Sequence, residues 1–250
     1  MVLTMQALMN KAVSISQILG GIVYPRHCFY CERFISLQPA LRICSTCQSS
    51  LQLNAPPFCQ RCGRTAPQDA LCVSCEEWQT PPGTLDHTYF LFTYQGIARQ
   101  LIYEFKINEA EYSKSIIRHY LEGFLNHIPN PWDHIDYIIP LPPHKKTRLQ
   151  KNDMNTTLAR ILGALIQRPV RPILKRTRTI AKQTALSRFE RLSNPKGSLA
   201  IARSVGLAGK RLVLVDDVIT TGATSEEAAH VLKEAGAKQV NILALARGEI

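Results

Sequence analysis

The chain has 250 residues, of which 45% are hydrophobic, so it can bury the core of one medium-sized domain and a smaller one, and global disorder is excluded. The formal net charge is +11, and the positive excess lies in residues 141–211, which contain 17 Lys and Arg but only 2 acidic residues. This segment indicates a surface for the phosphate groups of a small ligand or a nucleic acid. No apolar run reaches the roughly 18 residues of a membrane span, which excludes a transmembrane segment.

The N-terminal stretch at residues 12–24 is apolar and follows Lys11, so it resembles the apolar region of a signal peptide. No small-residue cleavage site of the Ala-x-Ala type follows it, and a Cys-rich segment starts at once. We therefore expect a mature N-terminal helix or lead-in and a cytoplasmic protein. In that reducing compartment, the eight Cys favour metal binding over disulfides.

Four Cys-x-x-Cys pairs occur within the first 75 residues. They are Cys28/Cys31, Cys44/Cys47, Cys59/Cys62 and Cys72/Cys75. Two pairs can complete a closed tetrahedral site, so the eight thiols predict two structural zinc ions with no coordination position left for catalysis. A [4Fe–4S] cluster on the same ligands and unligated thiols are the alternatives. Sequential use of the pairs closes the shortest loops, but a crossed arrangement stays open.

A proline-bearing stretch at residues 79–83 follows the last Cys and predicts a domain boundary. It divides the chain into a lead-in with a zinc module at 1–82 and a second domain at 83–250. Because of this boundary, we expect Cys59→Ser to loosen the front module and to leave the second domain largely intact.

After the boundary, the hydrophobic pattern predicts strands that alternate with helices. The predicted strands are 89–94, 135–139, 211–215 and 239–246, and the predicted helices are 96–105, 115–125, 156–166 and 225–235. Pro140 ends the second strand, and Gly236 caps the last helix. The alternation predicts an α/β fold with a parallel sheet, covered on both faces, that binds ligands at the carboxyl ends of its strands.

The most specific stretch, residues 213–224, lies between the third predicted strand and the last predicted helix. Asp216 and Asp217 are predicted to emerge from the end of the strand. Their carboxylates are hydrogen-bond acceptors that suit the two hydroxyls of a ribose. The next residues combine hydroxyls, a Gly that lets a ligand approach the backbone, and N–H groups at a helix N-terminus, which suit a dianionic phosphate. They are Thr220, Thr221, Gly222, Ala223 and Thr224. Glu226 and Glu227 in the first helical turn suit the helix dipole.

Two other interpretations of this stretch are weaker. The acid pair of a P-loop ATPase requires a Gly-x-x-x-x-Gly-Lys-Ser/Thr loop, which the chain lacks. The remaining alternative is an ordinary strand-loop-helix turn with polar residues.

With this motif, the sequence resembles the type I phosphoribosyltransferases, whose phosphoribosyl pyrophosphate motif is an apolar strand, two acids and a Thr-Thr-Gly-x-Thr loop. Because paired Cys-x-x-Cys knuckles precede this domain, the whole sequence resembles, more narrowly, the competence protein F (ComF/GntX) family. Three further segments also resemble segments of the family: residues 101–106, the Pro-x-Pro segment at 140–142 and the polar series within 178–197. Where the family often has Arg-Gly-Phe-Asn-Gln, this chain has residues 152–156, in which only Asn155 matches, and no role is carried over to that segment.

The resemblance implies a phosphoribosyltransferase-like domain behind a double zinc-ribbon module. Asp216 and Asp217, the candidate catalytic residues, would hold the ribose and the magnesium of phosphoribosyl pyrophosphate, and residues 220–224 would hold its 5-phosphate. Candidates for pyrophosphate contacts are Lys106, Arg178 and Arg191, each of which could equally lie on a solvated surface.

Two functions follow from these expectations. An enzyme would attack C1 of phosphoribosyl pyrophosphate, release pyrophosphate and stabilise the leaving group by positioning and charge. A binding protein would act in natural transformation at the inner face of the membrane, with single-stranded DNA on the zinc module and the basic segment, and with a helicase as partner. Phe189 is the sole aromatic residue between Arg168 and Arg211, so the surface for stacking bases is thin there.

Overall fold

The structure is a computed structural model. It describes residues 27–35, 41–59, 61–67, 70–77, 83–128, 132, 134–143, 153–177, 197–203 and 205–248. The lead-in at 12–24, most of the stretch at 79–83, and the candidates Arg178 and Arg191 lie outside these residues. The chain divides into two compact units, Met1–Leu51 and Gln52–Ile250. The domain boundary after residue 82 stays a prediction.

The first unit contains the first two Cys pairs. The short helix α1 (Ser45–Ser49) follows Cys44, and an isolated antiparallel bridge joins His27 to Phe34 across the first knuckle. A five-residue helix is too short to be stable by itself in water. The fold of these two knuckles therefore depends on what their cysteines bind.

The second unit is built around a four-stranded parallel sheet. Its strands are β1 (His87–Thr93), β2 (Tyr137–Pro140), β5 (Arg211–Ile219) and β6 (Gln239–Arg247). A separate antiparallel pair consists of β3 (Leu174–Arg176) and β4 (Leu199–Ile201). The helices are α2 (Val73–Glu77), α3 (Gly96–Lys106), α4 (Glu111–His127), α5 (Met154–Ile166) and α6 (Ala223–Glu234). The strand order is β1-β6-β5-β2, which confirms the predicted α/β parallel sheet.

Apolar side chains cover both faces of this sheet. On one face, α6 and the β3–β4 pair contribute to a cluster with the sheet; it includes Leu174, Leu199, Leu212, Leu214, Ala228, Leu232 and Ile242. On the other face, α4 packs against β1 and α5 packs against β2 and β5. Neighbouring strand residues point to opposite faces, so a strand buried on both sides reads as a continuous apolar run. This is why residues 212–215 are all fully buried.

The sequence accounts for the buried face of α3 and for the start of α5. In α3, the buried side chains are Ile97, Ala98, Leu101, Ile102 and Phe105, the spacing of one helical face. Helix α5 starts after Asp153, whose carboxylate accepts a hydrogen bond from the Asn155 N–H at 3.3 Å. Its last residue is Ile166, and the C-cap Gln167 has a left-handed φ of 53°. None of the helices in the described part of the chain has the length and apolar character needed to cross a bilayer.

Strand β5 is longer than the sequence predicted. It pairs with β6 as far as Ile219 opposite Arg247, whereas its register with β2 ends at Val215 opposite Pro140. Asp216 and Asp217 therefore do not leave the strand end, and this detail of the prediction was wrong. They lie in the part of β5 that continues beyond its register with β2, at the carboxyl edge of the sheet.

The segment around the third Cys pair, Cys59/Cys62, packs on β1. The Asn54 N–H donates to Leu91 O at 2.8 Å, and Asn54 Nδ2 donates to Gly63 O at 2.8 Å. Gly63 has a φ of 74°, and a Cβ at this position would lie 2.0 Å from Thr88 O. Only glycine fits this close approach to the strand. Residues 59–63 and the sheet accordingly belong to one compact unit.

Candidate functional site

The two acids of β5 each have a polar partner from a different helix. Lys106 at the end of α3 forms an ion pair with Asp217. Asn155 in α5 donates from Nδ2 to Asp216 Oδ1 at 3.0 Å. The Asp217 N–H also donates to Asp216 Oδ1, at 2.9 Å, and the Val218 N–H donates to Asp217 Oδ1 at 2.8 Å. The structure thus brings Lys106 to the predicted acid pair and holds both carboxylates in fixed orientations.

Asn155 is a site residue to which the sequence assigned no role. Its Nδ2 donates to Leu141 O at 2.9 Å as well as to Asp216. Two acceptors on this nitrogen fix the orientation of the amide, and Oδ1 is left buried without a hydrogen-bond partner among the described residues. A ligand hydroxyl, a water molecule or a hard cation would satisfy such an oxygen. The only signal in the sequence was that Asn155 alone matches the family within residues 152–156.

Arg176 is a second residue that the sequence did not single out. Its Nε donates to Pro142 O and Pro143 O, both at 3.1 Å, and Nη1 is buried without a partner among the described residues. Burial lowers the pKa of the Arg176 guanidinium, and the charge of Asp216 opposes this shift. Arg176 therefore anchors the segment after β2 that resembles the Pro-x-Pro segment of the family, with its positive charge near the acid pair.

The electrostatics of the site favour a positively charged partner. Burial, and then the charge of Asp217, raise the pKa of Asp216. Burial lowers the pKa of Lys106, but the charge of Asp217 outweighs this effect and the net shift is upward. Two neighbouring carboxylates repel each other unless a cation or a proton neutralises one of them. The site is accordingly suited to a ligand that brings a cation with it.

The ligand-free protein is expected to lose stability as the pH rises, because folding raises the pKa of Asp216 from 3.8 to about 8. A group with a raised folded pKa contributes stability that is fully present below the unfolded pKa and is lost as the pH rises through the folded pKa. We expect the free energy of unfolding to fall between about pH 4 and about pH 8, and to fall less in Asp216→Asn. Urea unfolding at constant ionic strength measures both curves, and equal pH dependence would contradict the expectation.

The predicted phosphate loop, residues 220–224, follows β5 directly and extends into the first turn of α6. Helix α6 begins at Ala223, two residues earlier than predicted, with Gly222 as its N-cap at a φ of 82°. The left-handed φ explains why glycine occupies this position. Thr221 Oγ1 accepts a long hydrogen bond from the Ala223 N–H, at 3.4 Å. The first N–H groups of a helix have no acceptor within the helix, so the loop presents donors to an anion.

The two acids at the start of α6 do more than complement the helix dipole. Glu226 Oε2 accepts hydrogen bonds from the N–H groups of Thr84 and Leu85, at 2.5 and 3.2 Å. Glu227 Oε1 accepts one from the Gly197 N–H at 2.6 Å. These hydrogen bonds connect the start of α6 to the segment before β1 and to Gly197.

The eight cysteines form two clusters of four. The first contains Cys28, Cys31, Cys44 and Cys47, and the second contains Cys59, Cys62, Cys72 and Cys75. Within each cluster, all Sγ atoms lie within 4.8 Å of one another. The Sγ atoms of Cys31 and Cys44 are 3.6 Å apart, and those of Cys62 and Cys72 are 3.5 Å apart. A tetrahedral site with Zn–S bonds of about 2.3 Å places its sulfurs about 3.8 Å apart. The pairing that the sequence left open is sequential, and the donor sets fit two structural zinc ions.

The thiol electrostatics agree with metal ligation. Burial raises the pKa of Cys28, but backbone N–H groups directed at its sulfur outweigh burial and lower the pKa to about 6. The same balance lowers the pKa of Cys59 to about 7. Burial and the neighbouring sulfurs raise the pKa of Cys47 and Cys75. Four thiolates therefore need a cation among them, as in a Cys₄ zinc site.

Comparisons with known proteins agree with this description. The model of the double zinc ribbon domain matches residues 19–76, and the model of the phosphoribosyl transferase domain matches residues 175–249. Competence protein ComFC of Bacillus subtilis is 26% identical over 231 residues, which cover 87% of this chain and 92% of that protein. Competence protein F of Haemophilus influenzae is 28% identical, covering 82% and 90%. DNA utilization protein YhgH of Salmonella typhi is 27% identical, covering 90% and 99%.

These matches confirm the resemblance to the competence protein F family and the predicted architecture. The chain has a double zinc ribbon with two Cys₄ clusters and a type I phosphoribosyltransferase-like domain with a parallel sheet. The acid pair and the loop at 220–224 both lie within the matched transferase domain.

Proposed function

We propose that this chain, which is similar to competence proteins over most of its length, binds phosphoribosyl pyrophosphate and acts in natural transformation. The observation that carries the first part is the arrangement at the carboxyl end of β5. There, two acids with polar partners precede a Thr-Thr-Gly loop that opens a helix. Ligands of open parallel sheets bind at this edge.

The parts of the ligand match different parts of the site. The ribose hydroxyls would donate to Asp216 and Asp217, and the 5-phosphate would accept hydrogen bonds from residues 220–224. The magnesium ion that accompanies pyrophosphate would neutralise its charge and take carboxylate oxygens as ligands. Lys106 lies beside Asp217 and would supply a further positive charge to the pyrophosphate. Arg178 and Arg191 stay predicted contacts of the same group.

Replacing Gly222 by Val tests the phosphate part of the proposal. Because Gly222 has a φ of 82°, a β-branched residue would distort the loop, and ribose 5-phosphate should bind at least about 10-fold more weakly even without metal. Calorimetry measures the affinity. Gly209→Val is the matched control, since Gly209 has a φ of 72° in a turn outside the site and nothing lies within 4 Å of its added Cβ. Wild-type affinity in Gly222→Val would contradict the assignment.

The role in transformation concerns imported single-stranded DNA. The relatives are named as competence or DNA utilization proteins, and residues 141–211 carry a strong positive charge. Arg171 and Lys210 lie over the ring of Tyr137, at 5.7 and 5.9 Å from its centroid, so an aromatic residue from outside the basic segment joins its surface. The protein would act in the cytoplasm at the inner face of the membrane, with a helicase as partner.

DNA binding of this kind should depend steeply on salt. Neutralising about five phosphates of a single strand releases enough counterions to weaken binding by about 100-fold between roughly 50 and 200 mM salt. Fluorescence anisotropy with a labelled oligonucleotide measures the slope, and a double variant, Arg171→Gln with Lys210→Gln, should reduce it. Binding that is absent or independent of salt would remove DNA from the proposal.

The second candidate function is a phosphoribosyltransferase of nucleotide metabolism or salvage. It is favoured by the same acid pair and loop, because the matched domain is that of phosphoribosyl transferases. An enzyme would release pyrophosphate from phosphoribosyl pyrophosphate in the presence of an acceptor, and a binding protein would not. A pyrophosphate-release assay with purine and pyrimidine bases and with DNA separates the two functions.

A further inference from the structure

A chain of contacts leads from the second Cys cluster to the carboxyl end of β6. Arg64 lies two residues after Cys62, and its Nη2 donates to Gly248 O at 3.1 Å. Gly248 directly follows β6. The knuckle therefore contacts the sheet at the edge where the candidate ligand site lies.

Gly248 in turn contacts the residues that open the phosphate loop. Its N–H donates to Ile219 O at 2.9 Å, and Ile219 is the last residue of β5. A Cβ on Gly248 would lie 3.5 Å from Thr220 Cγ2, which places Gly248 in van der Waals range of the first loop residue. Two hydrogen bonds thus connect the Arg64 guanidinium with the start of the loop.

The position of Arg64 depends on the fold of the knuckle. The Cys59 N–H donates to Arg64 O at 2.6 Å, and the Gly63 N–H donates to Cys59 O at 2.9 Å. A metal ion bound by Cys59 and Cys62 would close this turn from the side-chain end. The close approach of Gly63 to Thr88 O then fixes the whole turn against β1.

The end of β6 carries a second positive charge, that of Arg247, which lies within electrostatic range of Cys62, Cys72 and Cys75. Arg247 is only 6% exposed, and its Nε has no hydrogen-bond partner among the described residues. A zinc ion with four thiolates carries a net charge of −2, which a neighbouring guanidinium offsets. The second cluster and the end of β6 are therefore complementary in charge as well as joined by hydrogen bonds.

We propose that Arg64 is a positioning residue for the phosphate loop, and that a metal-loaded second cluster holds residues 219–224 ready for the 5-phosphate. The inference rests on the proposed binding of phosphoribosyl pyrophosphate for its functional consequence. It gives the second zinc ribbon a role in the ligand site in addition to its own stability.

The test compares Arg64→Met with Arg61→Met in the full-length protein. The first change removes the donor to Gly248 and keeps an apolar stem, whereas Arg61 lies on the same knuckle and supplies none of these hydrogen bonds. In Arg64→Met, we expect amide hydrogen exchange at residues 219–224 to be about 10-fold faster, and affinity for ribose 5-phosphate without metal to be about 10-fold lower. Arg61→Met should change neither quantity, and both proteins should keep two zinc ions.

A conservative variant separates positioning from general destabilisation. Arg64→Lys keeps one donor and should restore part of the exchange protection at 219–224. A purely structural role of Arg64 would instead give faster exchange throughout the sheet, without a selective effect at 219–224. Should Arg64→Met lose zinc, Arg64→Lys decides with the same readouts. Wild-type exchange and wild-type ribose 5-phosphate affinity in both variants would overturn the proposal. If the wild-type protein binds no ribose 5-phosphate, the proposed function fails, and exchange at 219–224 still tests the connection.

Discussion

Replacing Asp216 and Asp217 together by Asn is expected to weaken binding of phosphoribosyl pyrophosphate with magnesium by about 100-fold or more. Hydrogen bonds to charged groups contribute roughly 1.5–3 kcal/mol each, and the change also removes two negative charges that would hold the metal ion. The variant should fold, because burial opposes the charged form of Asp216 in the ligand-free protein. Calorimetry in the presence of magnesium measures the loss.

The control for this double variant removes two charges elsewhere. Glu111→Gln with Glu122→Gln changes two exposed acids on α4, and the described partner of Glu111 is Lys114 on the same helix. It should bind phosphoribosyl pyrophosphate as the wild type does. Equal weakening in both double variants would mean that the overall charge, rather than the site, governs binding.

Replacing Cys72 by Ser is expected to destabilise the sheet, whereas Cys44→Ser should affect it much less. Loss of a structural metal belongs to the changes that cost roughly 4 kcal/mol or more, which corresponds to a fall of about 10 °C in the unfolding temperature of a unit of this size. Each variant should retain one of two zinc ions. Hydrogen exchange of β1 and β6, together with zinc analysis, distinguishes the two outcomes, and equal exchange in both variants would contradict the expectation.

The structure changes the expectation that the front module is independent of the second domain. Asn54 and Gly63 contact β1, and Arg64 contacts the residue after β6. Cys59→Ser should therefore affect the sheet as Cys72→Ser does. The sequence could not show this, because the contacts join residues far apart in the chain through backbone groups that any residue carries.

Features that short stretches of sequence determine were predicted well. The alternation of buried strands and amphipathic helices gave the parallel sheet, and the four Cys pairs gave two Cys₄ clusters. The predicted end of β5, at residue 215, was too early. The prediction followed the apolar run, which stops before Asp216, whereas the ladder with β6 continues to Ile219. The β3–β4 pair was missed since each strand has three residues and they are separated by more than twenty.

The sequence names the acid pair and Lys106 of the candidate site, but it does not name the residues that support them. Asp216, Asp217 and Lys106 carry chemistry that a sequence displays, and the structure brings them together. Asn155 and Arg176 act through buried hydrogen bonds to Asp216 and to the segment after β2. Such contacts depend on the tertiary packing of α5 and β3, which no local pattern specifies.

The measurement that tests the central claim most directly is a calorimetric titration of the wild-type protein with phosphoribosyl pyrophosphate in the presence of magnesium. Saturable binding of one ligand per chain is expected, with competition by ribose 5-phosphate, because both ligands would occupy the loop at residues 220–224. No binding at millimolar ligand, or binding that ribose 5-phosphate does not compete with, would contradict the assignment of the site.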